Sequence, residues 1–276
     1  MTTNLAVLGS PIGHSKSPLL HAAAYRELGL DWNYSALEVT GETLADFVRS
    51  RDQSWRGLSL TMPLKRDVIP LLDELDSVGT LTGAANTVLI TDGRLSGFNT
   101  DVYGIVRAFS DAGVNHLDTV QILGGGATAA SAIVAMRELG ARRITASVRS
   151  IARAADLVAL GRAGGVDIVV SELGSDDQAT DVPDAVISTL PGHAEHAVTF
   201  SSALRESAVL FDVAYDPWPS TLAESWTDAG GTVISGLEML INQAVAQVRI
   251  FVNADAAVPL DREADVLAAM RAAVGA

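Results

Sequence analysis

The fold of this 276-residue chain is decided by Val120-Gln121-Ile122-Leu123-Gly124-Gly125-Gly126-Ala127-Thr128-Ala129. An apolar strand runs into a glycine-rich turn and then into a helix, and the turn matches the pattern G-x-G-x-x-A. Glycines let a backbone approach a pyrophosphate closely, and the N-terminus of the following helix offers N–H groups and a positive dipole end. The segment therefore predicts a dinucleotide-binding unit, with a glycine-rich turn that binds no ligand as the alternative.

Apolar segments on both sides of this turn alternate between strand-like and helix-like spacing. From residue 101 onward, short strands alternate with helices, which implies a parallel, doubly wound sheet. Upstream, the pattern predicts a helix over Pro63–Leu75, entered through a proline, and a hairpin around Asp92-Gly93. The predicted fold class is α/β: a first α/β domain over 1–101, a Rossmann-type doubly wound domain over 102–236, and C-terminal helices over 237–276 that return to the first domain.

Composition excludes several classes of function. The 19 Lys+Arg against 33 Asp+Glu give a net charge of −14, which disfavours nucleic-acid binding. The absence of cysteine excludes disulfides, thiolate metal sites and a catalytic thiol. The N-terminus lacks the pattern of a secretory signal and no apolar run reaches about 18 residues, so we expect a cytoplasmic protein without a membrane partner. His193 and His196 are interpreted as loop histidines, and no metal is expected.

Positive charge gathers just after the second strand of the predicted dinucleotide-binding unit. An NAD-binding unit usually carries an acid about 20 residues after the glycines, where it binds the ribose 2′-hydroxyl. No acid lies between Glu138 and Asp156, and the segment carries Arg149, Ser150 and Arg153 instead. Because forked guanidinium donors suit phosphate oxygens, these residues predict NADP(H) as the cofactor rather than NAD. The alternative is a solvated helix start with incidental arginines.

The ordered motifs resemble the shikimate/quinate dehydrogenases along nearly the whole chain, from Ser10-Pro11-Ile12-Gly13-His14-Ser15-Lys16-Ser17-Pro18 to Gly236-Leu237-Glu238-Met239-Leu240-Ile241-Asn242-Gln243-Ala244. The resemblance implies reversible, NADPH-dependent reduction of 3-dehydroshikimate to shikimate in chorismate and aromatic amino-acid biosynthesis. It makes 1–101 the substrate-binding and catalytic domain and 102–236 the NADP-binding domain, with the C-terminal helices packing on the former. The alternatives are an NAD-dependent quinate/shikimate dehydrogenase and a paralogue that binds ligand without turnover. The oligomeric state is left open, with a homodimer as one alternative.

The resemblance also implies a role for individual residues. The catalytic pair is Lys65 and Asp101. Substrate binding falls on Ser15 and Ser17, which hold the carboxylate, and on Thr61, Asn86, Tyr215 and Gln243. Cofactor binding falls on Gly124, Gly125, Gly126, Ala127, Thr128, Arg149, Ser150 and Arg153, with Val213 and Gly236 bordering the nicotinamide. One departure stands near the catalytic lysine: the family asparagine before T-x-P-x-K is Ser59 here, which we expect to weaken one polar contact.

The chemistry of Lys65 agrees with that role. Only two of the 19 basic residues are lysines, Lys16 and Lys65, and the scarcity itself is most simply a composition bias. Hydride transfer to a ketone requires a proton for the developing alkoxide, and the reverse reaction requires its removal. An amine near a carboxylate can do both, whereas arginine keeps its proton. Lys16 is predicted either as a loop cation near the substrate carboxylate or as a solvent-facing residue.

Overall fold

The glycine-rich turn and its strand lie in the second of two structural units. A computed structural model describes residues 2–174, 182–191 and 198–276, with Arg153 described by its backbone alone. One unit comprises Met1–Thr100 with Leu240–Ala276, and the other comprises Asp101–Met239. We call them the first and the second unit. His193 and His196 lie outside the described residues.

Strands and helices alternate along most of the chain. The elements up to residue 100 are β1 Thr3–Gly9, α1 Ser17–Glu27, β2 Trp32–Glu38, α2 Gly41–Arg49, β3 Trp55–Leu60, a 3-10 helix Ile69–Leu71, β4 Glu74–Leu75, α3 Ser77–Thr82, β5 Thr87–Thr91 and β6 Arg94–Phe98. The following elements are α4 Asp101–Asp111, β7 Thr119–Leu123, α5 Ala127–Glu138, β8 Arg143–Val148, a 3-10 helix Ile151–Arg153, α6 Ala155–Gly164, β9 Asp167–Glu172, β10 Ala185–Ser188, α7 Ser202–Ser207, β11 Val209–Asp212, α8 Thr221–Asp228 and β12 Val233–Ser235. The last helices are α9 Gly236–Asn253 and α10 Glu263–Val274.

The first unit is built on a mixed six-stranded sheet with the order β2-β1-β3-β5-β6-β4. β1 is parallel to both β2 and β3, whereas β5 runs antiparallel to β3 and to β6. The predicted hairpin between β5 and β6 is confirmed: Asp92 and Gly93 form its two-residue turn with φ of 50° and 79°. Positive φ at both central positions is typical of a type I′ turn, which favours Asp-Gly.

The predicted helix over Pro63–Leu75 is wrong. This stretch forms successive turns, the 3-10 helix Ile69–Leu71 and the short strand β4. Pro70 explains the difference, because a proline inside a helix lacks the N–H for the i−4 bond and its ring clashes with the preceding turn. The apolar residues of the stretch are nevertheless used for burial, since Leu64 and Val68 are fully buried in the core of the first unit.

The second unit contains a six-stranded sheet in which every pair is parallel, with the order β12-β11-β10-β7-β8-β9. This is the doubly wound Rossmann order, and the predicted fold class is confirmed. The order reverses between β7 and β10, and ligands of such sheets bind outside the carboxyl ends of the strands at this point. The glycine turn follows β7 there. A Cβ on Gly124, which has φ of +114°, would lie 2.3 Å from the Thr189 side chain after β10.

α9 from Leu240 onward and the whole of α10 belong to the first unit. α10 packs along α1, and α9 lies directly on β3. A Cβ on Gly57 of β3 would lie 2.3 Å from the Phe251 ring of α9, so glycine permits this close approach. None of the helices in the described part of the chain combines the length and apolar character that a membrane crossing requires.

Candidate active site

The loop after β1 leads Ser15 and Ser17 to the start of α1. The backbone N–H of Ser17 donates to the Ser15 hydroxyl at 3.3 Å, and Ser17 is the first residue of the helix. Pro18 follows it, and the first turn of α1 contains no acid. Because helix N-termini favour negative charge, this end of α1 is suited to a carboxylate.

Lys65 is held by a turn that begins where β3 ends. The N–H of Leu64 donates to the Thr61 carbonyl at 2.8 Å, and the N–H of Ala85 donates to the Lys65 carbonyl at 2.8 Å. The second bond fastens the backbone of Lys65 to the segment that carries Asn86. Two predicted residues, Thr61 and Lys65, are therefore brought to the carboxyl end of β3, and both are partly exposed.

Asn86 lies at the centre of a buried polar cluster in the first unit. Its Nδ2 donates to the Thr100 hydroxyl at 2.8 Å and to Gln243 Oε1 at 3.2 Å. The N–H of Thr100 and the hydroxyl of Thr87 each donate to Asn86 Oδ1 at 2.9 Å. The structure thus brings together two predicted substrate residues, Asn86 and Gln243, which lie 157 positions apart in the chain.

Three residues of this cluster, Thr87, Thr100 and Gln247, were not predicted from the sequence. Thr100 directly precedes Asp101, and Thr87 directly follows Asn86. Gln247 lies four residues after Gln243 on α9, and residues four apart share one face of a helix. That spacing was the available signal for Gln247.

The remaining predicted substrate and catalytic residues belong to the second unit. Asp101 is its first residue; it opens α4 and is buried. Tyr215 follows β11, and burial raises the pKa of its hydroxyl, with the carboxylate of Asp216 raising it further. The hydroxyl of Tyr215 therefore keeps its proton at neutral pH and can donate a hydrogen bond.

The predicted nicotinamide border is a place of close backbone approach. Val213 lies at the end of β11, and its N–H donates to the Ser188 carbonyl of β10 at 3.0 Å. A Cβ on Gly236 would lie 2.1 Å from the Val213 carbonyl oxygen. Glycine is therefore required where α9 begins, because any side chain would displace the backbone after β11.

The glycine turn of the second unit fits a dinucleotide. Gly125 and Gly126 are exposed, and no atom lies within 4 Å of the position of a Cβ on Gly126. Gly126 caps α5 without a side-chain hydrogen bond, and the first turn of that helix, from Ala127 and Thr128 onward, contains no acid. An uncapped helix N-terminus with an open glycine approach is the donor set that a pyrophosphate requires.

A groove of about 500 Å³ continues from this turn to the end of β8, and it is lined by Gly125, Gly126, Val148, Arg149, Ser150 and Ala154. Arg149 and Ser150 are both exposed. A guanidinium and a hydroxyl therefore stand together at the position where a ribose 2′-phosphate is expected. The side chain of Arg153, the third predicted residue here, lies outside what the structure describes.

The described residues contain no group of three or more histidine and acidic side chains that could hold a metal ion.

Comparison with known proteins agrees with the site chemistry. Residues 7–88 match a family model for the shikimate dehydrogenase substrate binding domain. A shikimate dehydrogenase (NADP(+)) of Methanopyrus kandleri is 32% identical over an alignment that covers 95% of this chain and 94% of the relative.

The chain belongs to the shikimate dehydrogenase family. The resemblance found in the sequence motifs is therefore confirmed. Among solved shikimate dehydrogenases, that of Mycobacterium tuberculosis matches with a TM-score of 0.85 at 37% identity, covering 98% of this chain and 99% of that chain. The Thermus thermophilus shikimate 5-dehydrogenase in complex with NADP(H) and shikimate matches with a TM-score of 0.80 at 28% identity, covering 99% and 100%.

Proposed function

We propose that this protein is a shikimate dehydrogenase that catalyses the reversible, NADPH-dependent reduction of 3-dehydroshikimate to shikimate. It is an NADP-dependent oxidoreductase acting on a CH–OH group, with a place in chorismate and aromatic amino-acid biosynthesis. The observation that carries this proposal is the similarity to NADP-dependent shikimate dehydrogenases over 95% of the chain. The complex of one structural relative with NADP(H) and shikimate supports the same pair of ligands.

We assign substrate binding and catalysis to 1–101 with the C-terminal helices 237–276, and NADP binding to 102–236. The match of residues 7–88 to a substrate-binding-domain model supports the first assignment. Ser15 and Ser17 bind the substrate carboxylate beside the N-terminus of α1. The substrate hydroxyls are bound by the other predicted polar residues, which are Thr61, Asn86, Asp101, Tyr215 and Gln243.

The chemistry requires one hydride and one proton. NADPH supplies the hydride to the carbonyl carbon when it is bound. Lys65 Nζ donates the proton to the carbonyl oxygen as that oxygen gains charge, so that a C–H and an O–H bond form and the C=O π bond is lost. In the reverse direction the Lys65 amine takes the hydroxyl proton. Asp101 binds a substrate hydroxyl and orients the ring for these transfers.

The cofactor is held by the glycine turn and by the end of β8. Gly124, Gly125, Gly126, Ala127 and Thr128 bind the pyrophosphate through the backbone at the N-terminus of α5. Arg149, Ser150 and Arg153 bind the 2′-phosphate, and Val213 and Gly236 border the nicotinamide. The exposed guanidinium at the edge of the 500 Å³ groove supports this assignment.

We expect Arg149→Ala to raise the KM for NADP by about ten- to a hundredfold, because hydrogen bonds to charged groups contribute about 1.5–3 kcal/mol. The KM for NAD, which lacks the 2′-phosphate, should change less than twofold. Arg142→Ala is a matched control, because Arg142 is an exposed arginine of the same unit that stands 3.8 Å from Asp118. An equal rise in the KM for NADP and in the KM for NAD would contradict the assignment of Arg149.

The proposed function is tested by four catalytic efficiencies, measured with shikimate and with quinate, each with NADP and with NAD. We expect the shikimate–NADP pair to have the highest efficiency, and to exceed the shikimate–NAD pair by about tenfold or more, since the loss of one hydrogen bond to a charged group has at least this effect. Dominance of the quinate–NAD pair would make the protein a quinate dehydrogenase. Binding of shikimate without turnover would make it a paralogue that is not an enzyme.

A homodimer and a cytoplasmic location remain predictions. The oligomeric state is measured by size-exclusion chromatography with light scattering. Fractionation of cells that express the full chain measures the location. Neither outcome changes the proposed reaction.

A further inference from the structure

A second layer of buried polar residues lies behind Asn86 in the first unit, and its centre is Gln247 of α9. Gln247 is 2% exposed and makes hydrogen bonds through both ends of its amide. Nε2 donates to the Asn86 carbonyl at 3.2 Å and to the Thr87 hydroxyl at 3.0 Å. Oε1 accepts from the Ser59 hydroxyl at 3.0 Å and lies 3.2 Å from His21 Nε2.

The orientation of the Gln247 amide is determined by its partners. A backbone carbonyl only accepts, so the atom facing the Asn86 carbonyl must be the NH2 group. The opposite atom is then the oxygen, and His21 Nε2 must carry the proton that it donates to that oxygen. His21 Nδ1 is left to accept, and it lies 3.0 Å from the Tyr25 hydroxyl. Burial lowers the pKa of His21 to about 3, which agrees with a neutral ring.

The orientation passes from Gln247 to the substrate site through Thr87. Because the Thr87 hydroxyl accepts from Gln247 Nε2, its own proton is directed to Asn86 Oδ1, 2.9 Å away. This donor and the Thr100 N–H identify the oxygen end of the Asn86 amide. The NH2 end is then directed to Gln243 Oε1, so both predicted substrate amides have a defined donor and acceptor direction.

We propose that Gln247 is a positioning residue for the substrate site, which acts through the Thr87 hydroxyl and, together with the Thr100 N–H, holds the orientation of the Asn86 amide. Ser59 takes part by donating to Gln247, and it also accepts from Tyr34 at 2.7 Å. Ser59, which replaces the family asparagine, therefore has a role in this second layer. The inference rests on the proposed function, because it concerns binding of the shikimate hydroxyls.

The test compares two variants, at Thr87 and Gln247, with a control at Tyr25, which lies on the other side of His21 from Gln247. Thr87→Val removes the hydroxyl that donates to Asn86 and keeps a side chain of similar size. Gln247→Met removes both donors to the Asn86–Thr87 segment at similar length. Tyr25→Phe removes only the hydroxyl at His21 Nδ1 and keeps the hydrogen bonds at both ends of the Gln247 amide. Each purified variant is assayed for the KM of shikimate, the KM of NADP, kcat and Tm.

We expect Thr87→Val and Gln247→Met to raise the KM for shikimate about tenfold, which is the effect of one misdirected hydrogen bond, and to leave the KM for NADP within twofold. Tyr25→Phe should lower Tm and leave the KM for shikimate unchanged. An unchanged KM for shikimate in either Thr87→Val or Gln247→Met would overturn the inference. It would also be overturned if the KM for shikimate rose in all three variants in proportion to their loss of Tm. Absence of shikimate turnover in the unmodified protein would instead overturn the proposed function together with this inference.

Discussion

Lys65→Ala will lower kcat for shikimate oxidation by about a hundred- to ten-thousandfold, the usual contribution of a positioned acid–base group. The dissociation constant for NADPH will change less than twofold, because the predicted cofactor residues all lie in the second unit. Turnover is measured from NADPH absorbance, and cofactor affinity from a fluorescence titration of the same preparation. A kcat near that of the unmodified protein would remove Lys65 from the mechanism.

Two further substitutions separate proton transfer from charge. Lys65→Arg keeps a cation at this position but holds its proton throughout the working pH range, so its kcat should fall nearly as far as that of Lys65→Ala. Arg66→Ala removes a neighbouring, exposed cation from the same turn and should keep full activity. If Lys65→Arg were active and Lys65→Ala inactive, Lys65 would act by electrostatic attraction alone.

The position of Lys65 illustrates what the sequence can and cannot predict. Its chemistry was predictable, because only a lysine can release and recover the proton. Its local structure was predicted wrongly, because the apolar spacing suggested a helix and the effect of Pro70 was not weighed. The hydrogen bond from the Ala85 N–H to the Lys65 carbonyl fixes the backbone of Lys65. It joins residues 20 positions apart, so no short-range sequence pattern predicts it.

The two units differ in how far their folds follow from local patterns. In the second unit the pairs β7–β8, β8–β9, β10–β11 and β11–β12 are parallel, and a helix lies between the two strands of each pair in the sequence, so alternation along the chain predicts most of the sheet. In the first unit β5 enters antiparallel beside β3, and β4 joins the far edge next to β6. Strand order of this kind depends on long-range pairing, and the spacing of apolar residues carries no information about it.

In the substrate site, too, the sequence indicates single residues but not the long-range contacts between them. Asn86 and Gln243 were predicted as separate residues from family motifs, whereas their hydrogen bond depends on α9 lying against β3 and β5. Gln247 and His21 were missed because a buried glutamine and a buried histidine resemble surface residues in a sequence. The spacing from Gln243 places Gln247 on the same helix face, but its hydrogen bond with His21, 226 positions away, has no signal in the sequence.

Buried His21 will also make the stability of the protein depend on pH. The ring is fully buried, stacked on Tyr34 with centroids 3.9 Å apart, and its pKa is lowered from 6.5 to about 3, chiefly by loss of hydration and against the Gln247 hydrogen bond. The neighbouring tyrosines stay neutral, because burial raises the pKa of both Tyr25 and Tyr34. The folded protein therefore holds a neutral imidazole at a pH where the unfolded chain holds an imidazolium.

Between pH 6.5 and about 3 the unfolded state binds one more proton at His21 than the folded state does. Stability from this residue is therefore complete above pH 6.5 and is lost as the pH falls, by about 1.4 kcal/mol for each pH unit.

The measurement is the free energy of unfolding in urea at several pH values between 7.5 and 4.5, for the unmodified protein and for His21→Gln. Both proteins share all their carboxylates, so the difference between their free energies of unfolding isolates the effect of His21. This difference should shrink by about 1.4 kcal/mol for each unit by which the pH falls. Parallel curves for the unmodified protein and His21→Gln would mean that His21 takes up its proton over the same pH range in the folded and the unfolded state, so that burial does not keep the ring neutral below pH 6.5.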